Sequence, residues 1–204
     1  MYRIYRIPFS TNVERVALAL GHKGIAVEWI DVDVADRSEV ERISGQPLVP
    51  VLVDDGRVVV DSTEILRHVE AAHPEEPLWP AGEAACAELD VFLDWFNQVW
   101  KVPPNAIEAE RASDSPDESR VTALGEELSA SRDLFERLLS DRDYLLGAFS
   151  AADCAAFPFL KYALIFDAAD DEEFHVILGE HLELGSSYPR LEAWIRRVDA
   201  LPRA

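Results

Sequence analysis

The sequence predicts an α/β first part, a mixed four-stranded sheet with helices on its faces, followed by an all-helical second part. Three observations carry this. Strand-like and helix-like patterns alternate over the first 70 or so residues and end in a hairpin, a proline-rich connection follows, and β-alternation is missing from Gly82 onward.

Tyr2 to Ile7 alternates apolar and polar side chains as a short strand does, and Pro8-Phe9-Ser10-Thr11 interrupts it. Val13, Val16, Ala17 and Leu20 then share one face of a helix that stops at Gly21 to Gly24. Val27 to Val34 is the next strand, and Glu39 to Ile43 forms a short helix or turn. Val49–Val53 and Arg57–Val60 are β-branched runs around Asp54-Asp55-Gly56, a connection that supplies the positive φ of a hairpin turn. The βαβ order requires a parallel crossover and the hairpin an antiparallel pair, so the sheet is mixed.

Asp61-Ser62-Thr63-Glu64 precedes the apolar spacing Ile65, Leu66, Val69, which predicts a helix starting at about Ser62. Free N–H groups and the positive dipole end at such a start favour a carboxylate. Pro50 lies at the head of a strand, which points to a cis Val49–Pro50 bond that turns the Val49 backbone outward.

His73-Pro-Glu-Glu-Pro-Leu-Trp-Pro80 holds the boundary, placed between residues 76 and 77, giving parts 1–76 and 77–204. Helices are predicted at Glu83–Trp100, Ser119–Ser140, Ala151–Phe166 and Pro189–Leu201. Ile107 to Glu118 is polar and contains Pro116, and reads as a mobile surface connection; Asp167 to Gly185 has room for a short helix. Ser150-Ala-Ala-Asp153 fits a capping box.

Composition excludes several classes. A chain of 204 residues with 49% hydrophobic side chains can bury a core. A net charge of −20 opposes nucleic acid and anionic membranes as partners. No apolar run approaches the roughly 20 residues that span a bilayer, so a cytoplasmic protein is expected. Cys86 and Cys154 and the five scattered histidines show no metal-ligand spacing, so no metal site is expected.

The order Val49-Pro50-Val51-Leu52, hairpin, Asp61-Ser62, helix resembles the glutathione-binding half of the glutathione S-transferase superfamily, and the Ser150–Asp153 cap resembles the motif in its C-terminal domain. The resemblance covers nearly the whole chain and implies a thioredoxin-like N-terminal domain. The Ser10–Leu20 register resembles zeta-type members, which have serine at that place, and omega-type members, which have cysteine. It implies that Ser10 donates its hydroxyl to the glutathione thiolate, with Asn12 as a second donor; the residue reading alone explains Ser10 or Thr11 equally as a helix cap. By the same resemblance Asp61 takes the ammonium and Ser62 the carboxylate of the γ-glutamyl group, while Val49, ahead of Pro50, pairs its backbone with the cysteinyl moiety. Glu14 and Arg15 are read as solvated or subunit-facing.

A small hydrophobic electrophile is then expected between the domains, against Phe9, Tyr162 and a partly exposed Trp100. The implied protein is a homodimeric transferase, with zeta-like isomerisation or thiolytic dehalogenation beside conjugation. The alternative is a non-catalytic ligand-binding or regulatory member. One departure bears on this: relatives place a basic side chain after the second strand for the glycyl carboxylate, where this chain has Asp31-Val-Asp-Val-Ala-Asp36, with Arg37 and Arg42 beyond.

Overall fold

The computed structural model describes all 204 residues, and the chain divides into two compact units, Met1–Pro80 with Leu201–Ala204, and Ala81–Ala200. The last four residues, which follow the helical half in sequence, count with the first unit for local reasons. The Ala204 N–H donates to the Ala17 carbonyl at 3.1 Å, Arg203 pairs with Glu14 at 3.1 Å, and Trp29 Nε1 donates to the Ala204 carbonyl at 3.0 Å. Gly21 lies so close to the Pro202 carbonyl that a Cβ there would overlap it.

The first unit runs β1 (Arg3–Arg6), α1 (Thr11–His22), β2 (Glu28–Asp31), α2 (Ser38–Ser44), β3 (Val51–Asp54), β4 (Arg57–Val60) and α3 (Ser62–Ala72). The sheet order is β2-β1-β3-β4, with β1 parallel to β2 and antiparallel to β3, and β3 antiparallel to β4. This is the mixed four-stranded sheet expected. The registers Tyr5↔Val51 and Ile4↔Leu52 place alternate residues on opposite faces. Tyr5, Val51 and Val53 form a cluster with Val40 of α2, and Ile4 and Leu52 are fully buried. The hairpin turns on Asp55 (φ 45°) and Gly56 (φ 88°), the two positive values that a two-residue type I′ turn requires. The second strand is shorter than expected, Glu28–Asp31, because Asp33 and Asp36 form a bridge of their own beyond it.

The second unit is helical: α4 (Glu83–Trp95), a π turn (Phe96–Trp100), α5 (Val102–Arg111), α6 (Glu118–Leu138), α7 (Ala151–Leu160) with a 3₁₀ turn (Lys161–Ala163), α8 (Glu173–Leu182) and α9 (Pro189–Asp199). The expected surface connection at 107–118 is corrected: it is helical through Arg111. Pro103 and Pro104 open α5, where the missing proline N–H groups cost nothing, Ile107 is fully buried, and Arg111 holds Glu173 at 2.8 Å and Glu180 at 2.7 Å. The short helix anticipated after Asp167 is α8.

The capping box forms as read. Ser150 Oγ accepts from the Asp153 N–H, and the Ser150 N–H donates to Asp153 Oδ2 at 2.9 Å. No helix is long and apolar enough to cross a membrane.

Candidate functional site

A side chain of α1 reaches the start of α3 in the first unit. Helices α1 and α3 pack on one another, and Arg15 of α1 donates from Nη1 to Ser62 Oγ at the head of α3 over 3.3 Å. The dipole of each helix favours negative charge at its start, and Asp61 already supplies one at the start of α3.

Ser10 is the N-cap of α1. Its φ and ψ of −59° and 114° hold it outside the helix, and Oγ accepts from the Val13 N–H at 3.4 Å. Acceptance of that bond leaves the hydroxyl proton to donate elsewhere, so capping and donation to an anion are compatible roles. Phe9, immediately before it, has φ 60° and is 39% exposed. Asn12 is half-buried in the first turn.

Asp61 caps α3. Its Oδ1 takes the Thr63 N–H at 2.8 Å and the Glu64 N–H at 3.2 Å, with its own φ at 69°, a region a non-glycine residue rarely occupies. Such backbone is held by its surroundings and clusters at functional sites. Ser62 follows it, 4% exposed.

The Val49–Pro50 bond is cis. Strand pairing in both ladders begins at Val51, so Val49 lies outside them. Pro50 is buried, and the Val49 side chain packs against the Tyr5, Val40, Val51, Val53 cluster. Nearby, Arg37 Nη1 reaches the Pro47 carbonyl at 3.5 Å and its Nε the Val34 carbonyl at 3.4 Å.

The structure thus joins Ser62 to α1, the helix that Ser10 caps, with Asp61 beside Ser62 in the chain. It also shows a residue that periodicity concealed: Arg15, expected at the surface, is 2% exposed. Glu14, its neighbour, is half-buried and paired with Arg203.

The aromatic residues expected to face an electrophile are placed differently. Trp100 is corrected from partly exposed to 3% exposed. Its ring stacks on Phe96 at 4.5 Å, meets Phe135 and Phe159 edge-on, and donates from Nε1 to Ser131 Oγ at 2.9 Å. Tyr162 is also buried, stacked on His175 at 4.4 Å with its hydroxyl on Asp170 at 2.6 Å. Both stabilise the interior of the helical unit. No group of three or more His, Cys, Asp or Glu is placed to hold a metal.

A thioredoxin-like sheet with serine at the start of α1, a cis proline before β3 and an Asp-Ser start to α3, followed by a helical unit, defines a class, and the comparisons agree with it. Residues 4–77 match the family model "Glutathione S-transferase, N-terminal domain", and residues 106–197 match "Glutathione S-transferase, C-terminal domain". Glutathione S-transferase 3 of Zea mays is 30% identical over 165 residues, covering 74% of this chain and 73% of that protein. Glutathione transferase omega-1 of Caenorhabditis elegans is 23% identical over 209 residues, covering 97% and 76%. Among solved structures, the beta-etherase LigF from Sphingobium sp. strain SYK-6 superposes with a TM-score of 0.79 at 22% identity, covering 98% of this chain and 96% of that one. A Sulfitobacter glutathione transferase homologue with bound glutathione gives 0.75 at 20% identity, covering 98% and 93%. The chain belongs to the glutathione S-transferase superfamily.

Proposed function

We propose that the protein is a glutathione transferase that ionises the thiol of glutathione at Ser10 and directs it at a small hydrophobic electrophile. The observation that carries this is the link from Arg15 of α1 to Ser62 at the start of α3, with serine at one cap and aspartate at the other. Helix starts favour anions, and glutathione offers the γ-glutamyl carboxylate and, once ionised, the cysteinyl thiolate.

In this reading Asp61 takes the γ-glutamyl ammonium with the carboxylate capacity its cap bonds leave, and the Ser62 hydroxyl takes the α-carboxylate. The Val49 backbone pairs with the cysteinyl unit as an added strand would. The Ser10 hydroxyl, with Asn12 beside it, donates to the sulfur. Hydrogen bonding to the charged form lowers the thiol pKa, and the dipole of α1 adds to it. The thiol proton leaves to solvent, the sulfur lone pair forms a bond to the electrophilic carbon, and the displaced group leaves with its electron pair. The exposed Phe9 ring supplies an apolar wall next to the sulfur. Isomerisation and thiolytic dehalogenation begin from the same thiolate. A homodimer is part of the proposal, supported by family membership.

A second reading, a non-catalytic ligand-binding or regulatory member of the family, is favoured by one observation: the stretch after β2 is acidic, and Arg37 there is already bonded to the Val34 and Pro47 carbonyls. Isothermal titration with glutathione followed by a conjugation assay on an aromatic halide separates them. Binding with turnover supports the first, binding without turnover the second, and no binding contradicts the first.

A further inference from the structure

Residues 73–80, His-Pro-Glu-Glu-Pro-Leu-Trp-Pro, carry the chain out of the first unit. Prolines at 74, 77 and 80 lack N–H groups and disfavour helix in the residues before them, and the stretch takes no regular secondary structure. Its backbone groups must therefore find side chains. They find one ion pair. Lys23, just past α1, places Nζ at 2.8 Å from the His73 carbonyl, at 3.1 Å from the carbonyls of Glu75 and Glu76, and at 2.7 Å from Glu70 Oε2. Glu70 of α3 in turn accepts the Leu78 N–H at 3.1 Å and the Trp79 N–H at 3.5 Å. The Lys23 side chain is 1% exposed.

Three carbonyl dipoles and a carboxylate aimed at one point repel one another, so the gathering stands only while a cation fills it. An ammonium offers three protons on a compact charge, whereas the planar fork of a guanidinium suits flat, paired acceptors. Lys23 is one of three lysines among 19 Lys and Arg residues, and it stands where the compact cation is needed. We propose that Glu70 and the carbonyls of His73, Glu75 and Glu76 form a monovalent-cation site, that Lys23 is its tethered occupant, and that a free ammonium ion takes its place when the side chain is cut back. The occupied site fixes the path by which the chain leaves the first unit. It is independent of the glutathione reading.

The test is amide hydrogen exchange of the full chain, read at Leu78 and Trp79, with buried Leu52 of β3 as the reference for the sheet. Lys23→Ala is expected to speed exchange at Leu78 and Trp79 by about tenfold or more, the scale of a charged hydrogen bond, while Leu52 stays slow. Ammonium chloride is expected to restore the lost protection, and tetramethylammonium chloride of equal ionic strength, whose ion has no N–H to give, to leave it lost. Lys23→Met, which fills the space with a neutral chain, is expected to exchange fast in both salts. A methionine variant as protected as the parent overturns the proposal, because packing alone would then hold the segment. Equal rescue of the alanine variant by the two salts, or rescue by neither, overturns it as well. If the variants do not fold, the unsubstituted protein decides by nitrogen NMR of the Lys23 ammonium. Its protons are expected to exchange with water slowly enough to be observed, and exchange as fast as that of an exposed lysine overturns the proposal.

Discussion

Trp194 of α9 donates from Nε1 to Asp153 Oδ1 of α7 across 2.8 Å, with both side chains fully buried. The same carboxylate takes the Leu145 N–H at 3.0 Å and the Ser150 N–H at 2.9 Å. What reads in sequence as a helix cap is therefore the acceptor for three separate segments of the helical unit. Asp153→Ala leaves buried donors on all three and should cost roughly 3 kcal/mol, beyond the ~1 kcal/mol of a simple cap. Urea unfolding measures it; a loss near 1 kcal/mol would mean that the Trp194 and Leu145 bonds contribute little.

Burial pushes the Asp153 carboxyl up to about 6 from an ordinary 3.8, against the opposing pull of the bonds it accepts from Leu145, Trp194 and Ser150. Its folded form holds the proton more tightly than its unfolded form, so its contribution to stability is greatest below the unfolded value. That contribution declines as pH rises between about 4 and about 6, by on the order of 3 kcal/mol. Carbon NMR titration of this carboxyl should give a midpoint near the upper value, and a midpoint near 3.8 contradicts the burial argument.

Asp61 combines a cap with a proposed ammonium ligand, and the two roles separate in Asp61→Asn. Asparagine caps about as well as aspartate, so unfolding should change little, whereas glutathione affinity should fall by about 1–3 kcal/mol because the charge-assisted bond is lost. Asp61→Ala should lose both. An asparagine variant that binds glutathione like the parent removes Asp61 from the ligand site.

How much of this could be read beforehand follows from range. Ser10, Asp61, Ser62, the Asp55-Gly56 turn and the Ser150–Asp153 box depend on residues within four positions, where side-chain chemistry fixes the backbone. Arg15 was hidden because its burial is set by α3, 47 residues on, and a charged residue in a helical pattern reads as the wet face. Trp100 was misplaced because a stripe of aromatics at helical spacing does not say which side meets other helices. Its neighbours Phe135 and Phe159 come from α6 and α7. The α5 helix escaped because its polar face is satisfied by Glu173 and Glu180, more than 60 positions away.

Cys154 is buried and Cys86 half-buried in α4, so neither stands at the start of α1, where the proposal places the sulfur chemistry. The parent should show no thiol–disulfide reductase activity. Ser10→Cys puts a thiol at the α1 N-terminus, where its pKa should drop, and should gain such activity toward a glutathione mixed disulfide while losing conjugation. Reductase activity in the parent would contradict this assignment.

In the proposed function Ser10 stabilises the thiolate of bound glutathione, and the direct measurement is the ionisation of that thiol. Ultraviolet titration of the bound thiolate in the parent should give a pKa below the ~8.5 of a free cysteine thiol. In Ser10→Ala the value should rise by about 1–2 units, the equivalent of one hydrogen bond to a charged group, with conjugation falling in step. A thiol that ionises at the same pH in both proteins would contradict the account.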